Sequence, residues 1–228
     1  MGAVVIGAGR SGTNIVLEIL RASPELKASR EPENRKLFRE KRMYPETYLT
    51  KCDTCRMTYG GFKRLLNWNQ HIKVIWTIRD PRDMIMSKLK RGVPLEAGGD
   101  CRGFADDSTI EGAIADLRSM TDHYKDAIEH FGDRTKLWKM EDVLKHTEKE
   151  TMRLCEFVGI EYHPKMCEFW KNMRDGKKRK RYHSKDMSQI AMWKNWRTAY
   201  DGWLKDRGFE LGPVFEKIKD IVEFWKYD

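Results

Sequence analysis

Short unbroken apolar runs alternate along this chain with stretches in which apolar residues recur every three or four positions. The runs are AVVIG at 3–7, HIKVIWTI at 71–78 and TKLWKM at 135–140. Runs of that length, bounded by glycine, proline or charge, read as strands covered on both faces. Each belongs to a strand–helix alternation. Residues 13–22 (TNIVLEILRA) put Ile15, Val16, Ile19 and Leu20 on one helical face, Pro81 suits the first turn of a helix through MIMSKLK, and 111–132 ends on a glycine stop. Strands alternating with helices predict an α/β domain with a parallel, doubly wound sheet.

Between the first two units, 32–70 is polar and broken by Pro32, Pro45 and Gly60-Gly61, with helices expected near 33–42 and 61–68. The stretch ELKASRE ahead of it makes a poor buried strand. From 141 the pattern is helical: EDVLKH, KETMRLCEFVG, PKMCEFWKNM and then PVFEKIKDIVEFW, read as one amphipathic helix beginning at Pro213. No linker separates domains, so 1–228 is expected to be a single domain.

Charge changes the picture by pointing to an anion. Lys and Arg total 44 against 35 Asp and Glu, a net charge of +9. That excess favours an anionic partner without choosing between nucleotide and nucleic acid. With no 18-residue apolar run and no signal peptide pattern, the chain is expected to be soluble and cytoplasmic. The five cysteines are an odd count, and CDTC at 52–55 has no second pair to complete a zinc or redox site. That pair is read as ordinary loop thiols, the five cysteines are expected to be reduced, and no metal is expected.

The candidate chemistry begins at GAGRSGTN, 7–14, the turn between the first strand and helix. Gly7, Gly9 and Gly12 fit the dinucleotide pattern G-x-G-x-x-G, with Glu31 at the separation of its acidic partner, but the arginine inside the turn crowds a pyrophosphate. Gly7 and Gly12 also have the P-loop spacing, yet Thr13 stands where the lysine for β and γ phosphates belongs. The positive charge sits instead at Arg10.

RSGT at such a turn resembles the 5'-phosphosulfate loop of the sulfotransferases that use 3'-phosphoadenosine-5'-phosphosulfate (PAPS). VIWTIRDPRDMIMS is similar to that family's 3'-phosphate motif, a strand followed by Arg79 and then Ser87 eight residues on. LWKMEDVL followed by LCEFVGIEY, and GKKRKR ahead of MWKNW, extend the resemblance, with Met140 and Asn14 in place of the family's usual Tyr and Thr. The resemblance implies a P-loop-like three-layer fold with a helical C-terminal half. It implies PAPS as sulfuryl donor and adenosine 3',5'-bisphosphate (PAP) as product.

On that reading Gly9, Arg10, Ser11, Gly12, Thr13 and Asn14 hold the 5' end of the donor. Backbone N–H groups and the helix start take the phosphate, and Arg10 neutralises charge on the bridging oxygen. Arg79 and Ser87 take the 3'-phosphate, the alternative being an arginine that caps the turn at Asp80 and Asp83 and a serine facing solvent, and they are joined by Arg179 and Lys180 from the basic run 177–181. That run also reads as a solvated loop or a nucleic-acid patch. Glu31, 21 residues after Arg10, resembles the family's carboxylate base, and the alternative is an exposed loop carboxylate. Lys63 resembles a lysine reaching the sulfonate. The acceptor is expected to be a small phenol or a sugar, and Tyr44, Tyr48, Tyr59, Phe62 and Phe104 could line its pocket. A nucleotide or small-molecule kinase and a nucleic-acid-binding module are the rival readings.

Overall fold

Val4 and Ile6 project from the first strand into one core, while Ala3 and Val5 project into another. Strand β1 (Gly2–Gly7) is buried along its whole length. It lies at the centre of a five-stranded parallel sheet of order β2-β3-β1-β4-β5. The other strands are β2 (Lys27–Ala28), β3 (Tyr48–Asp53), β4 (Ile72–Ile78) and β5 (Thr135–Lys139). The computed structural model describes residues 2–28, 48–53, 59–91, 109–172 and 210–227.

The helices are α1 (Thr13–Arg21), α2 (Tyr59–Trp68), α3 (Pro81–Arg91), α4 (Ile110–Phe131), α5 (Met140–Lys145), α6 (Thr147–Val158), α7 (Leu211–Glu216) and α8 (Lys219–Phe224). A 3₁₀ segment covers Pro164–Asn172. On one face, Met84, Leu117, Met120, Ile218 and Trp225 pack against Val4, Ile6, Val74 and Trp76. On the other, Ile15, Ile19, Met140, Val143, Leu154 and Phe169 pack against Ala3, Val5 and Ile75. The layers are therefore helix, sheet, helix.

Helix α1, which follows β1, packs on the second face, and α3, which follows neighbouring β4, packs on the first. Two adjacent parallel strands whose following helices leave to opposite sides create a crevice beyond their carboxyl ends. The turns after β1 and β4 both open into that crevice.

Two expectations need correction. Residues 48–53 form strand β3, with Cys52 opposite Ile6, so Cys52 is in the sheet and not in a loop; Cys55 lies outside the described residues. The expected helix from Pro213 is two short helices beginning at Leu211. Ile218 N–H bonds Phe215 O and Ile221 N–H bonds Ile218 O, so the ladder tightens to three-residue spacing at the break. Because that tightening keeps the apolar phase, Val214, Ile218, Ile221 and Trp225 are all buried.

Side-chain ties fix the helices that matter for the crevice. Buried Lys88 of α3 pairs with buried Asp116 of α4, which sets the rotation of α3. At the sheet's other end Arg134 donates to the carbonyls of Leu66, Asn69 and Ile72, closing the end of α2 onto the start of β4. Cys155 is buried, and burial, reinforced by Cys167 and Glu25, pushes its thiol up to about 11, so it stays protonated. No described helix is long and apolar enough to cross a membrane.

Candidate functional site

Gly7 ends β1 with no room for a side chain: a Cβ there would stand 2.2 Å from Ser11 Oγ and 2.7 Å from the Thr77 carbonyl oxygen. The chain then turns tightly, Ser11 N–H bonding Ala8 O at 3.1 Å. Thr77 Oγ1 gives its proton to Ile6 O, so the 2.9 Å bond between Ser11 Oγ and Thr77 Oγ1 has Ser11 as donor. Ser11 is fully buried. Its side chain ties the turn to β4 and is not presented to the crevice.

Gly12 has φ +97°, a left-handed conformation, and a Cβ there would lie 2.1 Å from Met140 Sδ. Glycine is needed on both counts. Met140, at the site of the family's tyrosine, thus packs under the turn. Helix α1 starts beyond Gly12 with no side-chain cap and no acidic residue in its first turn. Such a start presents backbone N–H groups and the positive end of the helix dipole to an anion. Thr13 is buried, whereas Asn14 is exposed beside that start.

Arg10 also has a left-handed backbone, φ 78°. For a residue with a side chain this costs roughly 1 kcal/mol or more. The strained backbone carries an exposed guanidinium whose Nε donates to Ser87 Oγ at 2.8 Å, across 77 positions of sequence. The turn after β1 and the second turn of α3 therefore meet.

Arg79 leaves the end of β4 buried, its Nη2 3.0 Å from Asp83 Oδ2, both side chains being at most 10% exposed. Asp80 precedes α3 and accepts from Arg82 N–H at 2.9 Å, a side-chain cap of the helix. The Asp80 N–H in turn donates to Glu141 Oε1 at 2.9 Å, and Tyr227 Oη donates to Glu141 Oε2 at 2.7 Å. Burial, with Glu141, Asp80 and Asp142 nearby, drives the Tyr227 hydroxyl's pKa far upward. It remains a donor.

The structure brings Arg10 and Ser87 into contact, with Gly9, Gly12 and Asn14 in or beside the same turn and Arg79 at the end of the neighbouring strand. It does not bring Lys63 there, which corrects that expectation. Lys63 Nζ is 2.6 Å from Asp126 Oδ1 and 3.2 Å from His130 Nε2. Asp126 lies six residues along α4 from Met120, whose sulfur faces the Ala8 N–H. That is about 9 Å of helix rise towards the sheet's opposite end. Glu31, Arg179 and Lys180 lie outside the described residues, as do Tyr44 and Phe104. Tyr48 is in β3, and Tyr59 and Phe62 are on α2.

Sequence reasoning missed Thr77 and Tyr227 as parts of this site. Thr77 carried a signal, being the one hydroxyl in the otherwise apolar end of IKVIWTI. Tyr227 carried none, because its contact spans 86 positions.

A family model described as a sulfotransferase domain matches residues 2–223. Comparison with curated proteins found no match. Among solved structures, the chain is similar to the sulfotransferase domain of the Synechococcus PCC 7002 olefin synthase. That likeness has a TM-score of 0.62 at 15% identity and covers 100% of this chain and 95% of that one. It is also similar to a mouse sulfotransferase complexed with PAP, with TM-score 0.61, 15% identity and coverage of 100% and 89%. A retinol dehydratase in complex with retinol and PAP has TM-score 0.50, 12% identity and coverage of 97% and 81%.

Proposed function

The chain belongs to the sulfotransferase family, whose domain model spans residues 2–223, and we propose that it moves a sulfuryl group from PAPS to an acceptor hydroxyl. The observation that carries this reading is the 2.8 Å bond from Arg10 Nε to Ser87 Oγ, which draws two anion-suited turns into one crevice. The residues present fit the donor. An uncapped helix start without acidic residues and an exposed arginine suit the 5' end, and Arg79, paired with Asp83, ends the neighbouring strand β4. An ATP-using kinase needs a lysine after Gly12, where Thr13 stands.

In this reaction the acceptor oxygen attacks sulfur in line as the bond from sulfur to the 5'-phosphate oxygen breaks. The leaving phosphate keeps that electron pair, and the hydroxyl proton passes to a base. The start of α1 and Arg10 stabilise the charge growing on the leaving phosphate. Arg79 and Ser87 hold the 3'-phosphate, and Arg179 and Lys180 are assigned as further contacts to it. Glu31 is assigned as the base. The acceptor is assigned as a small phenol or a sugar hydroxyl.

A thermal-shift comparison tests the reading. PAP at about a hundredfold excess over its Kd raises stability by about 2.7 kcal/mol, while ATP with Mg²⁺ gives a much smaller shift. In Glu31→Gln the PAP shift persists and sulfuryl transfer slows. A shift with ATP–Mg²⁺ and none with PAP would falsify the assignment.

A further inference from the structure

The end of β5 and the turn after α8 are locked together beside the crevice. Lys139 Nζ donates to Lys226 O at 2.8 Å and sits 4.3 Å from the centroid of the Tyr227 ring. Trp225 Nε1 anchors the same turn by donating to Thr121 Oγ1 at 2.9 Å. Tyr227 thereby arrives at Glu141 with its ring already placed.

Glu141 then links two distant segments. One oxygen receives the Tyr227 hydroxyl, and the other receives the N–H of Asp80, the residue that caps α3. Parallel pairing sets this up, since Ile78 lies opposite Lys139 and the two residues beyond them bring Asp80 to Glu141. A carboxylate at the capping residue's own N–H does from another element what the glutamate of a capping box does locally. The fixed point lies between Arg79, one residue before, and Ser87, seven residues after. Small changes at Asp80 therefore move both groups relative to Arg10.

We infer that Tyr227, acting through Glu141, is a positioning residue for the 3'-phosphate pair Arg79 and Ser87. This rests on the functional reading above, because it assigns the crevice a ligand with that phosphate. Tyr227 touches no reacting atom. By orienting the Glu141 carboxylate it sets where α3 begins, and so how closely Arg79 and Ser87 converge.

The test compares PAP with adenosine 5'-phosphate (AMP), which lacks the 3'-phosphate, by calorimetric titration of the full chain. Tyr227→Phe removes the hydroxyl and keeps the ring over Lys139. It is expected to weaken PAP about fivefold and leave AMP unchanged, a modest effect for losing one hydrogen bond to a charged group. Asp220→Asn, which breaks the exposed pair with Arg118 on the same helical segment, is expected to change neither affinity. Equal loss of both ligands in Tyr227→Phe, or no loss of either, overturns the inference and leaves the functional reading standing. A wild-type chain that binds PAP no more tightly than AMP overturns both.

Discussion

At the amino end of the sheet Arg134 is partly buried and gives its nitrogens to three backbone carbonyls. At the carboxyl end Arg10 stands exposed on a left-handed backbone and reaches Ser87. The first arginine satisfies groups that a helix end leaves open, and desolvation lowers its pKa as it does so. The second sits in a conformation that costs energy and keeps its charge in the crevice. The same side chain serves closure at one end and reception at the other. The difference follows from which backbone groups surround it: carbonyls at the amino end, and N–H groups of a helix start at the carboxyl end.

Three variants break or sharpen that contrast. The largest effect is expected from Arg79→Ala, which strands Asp83 in a nearly buried position. Unfolding in urea should show a loss of about 4 kcal/mol. Adding Asp83→Asn should restore most of that stability without restoring PAP affinity, separating the arginine's folding role from its proposed binding role. Equal recovery of both would remove Arg79 from the binding site. Arg134→Met comes next, with a loss of about 3 kcal/mol as the carbonyls lose a charged donor. Its PAP affinity, measured on folded protein, should be unchanged, and a drop would mean that the two ends are coupled. The smallest effect is Arg10→Gly, which relieves the positive φ and should raise stability by about 1 kcal/mol. PAP binding should weaken in the same variant. If both quantities fall together, the backbone at Arg10 is not strained for the sake of its side chain.

Much of the fold was legible because β1, β4 and β5 are apolar runs with charged or glycine punctuation. β3 was not, since YLTKCD carries a lysine and an aspartate and is joined on its outer side only by the two residues of β2. The tail misled for the opposite reason: its apolar spacing is regular, and the break at Ile218 preserves it. In the candidate site, local spacing nominated Arg10, Arg79 and Ser87, and the structure puts Arg10 against Ser87. What occupies the Ser11 hydroxyl was not legible, because its partner Thr77 lies 66 positions away. Lys63 was misassigned because a lysine on a helix says nothing of the Asp126 and His130 it meets. Links of this kind are made by tertiary packing and leave no periodic trace.

The start of α1 has no cap, no acidic neighbour and a glycine before it. Nothing in those features distinguishes one oxyanion from another, so inorganic sulfate or phosphate in a storage buffer competes for the same backbone amides. Affinities for PAP measured in phosphate are accordingly expected to look weaker than those measured in a buffer of bulky monovalent anions. For this turn, the choice of salt is part of the assay.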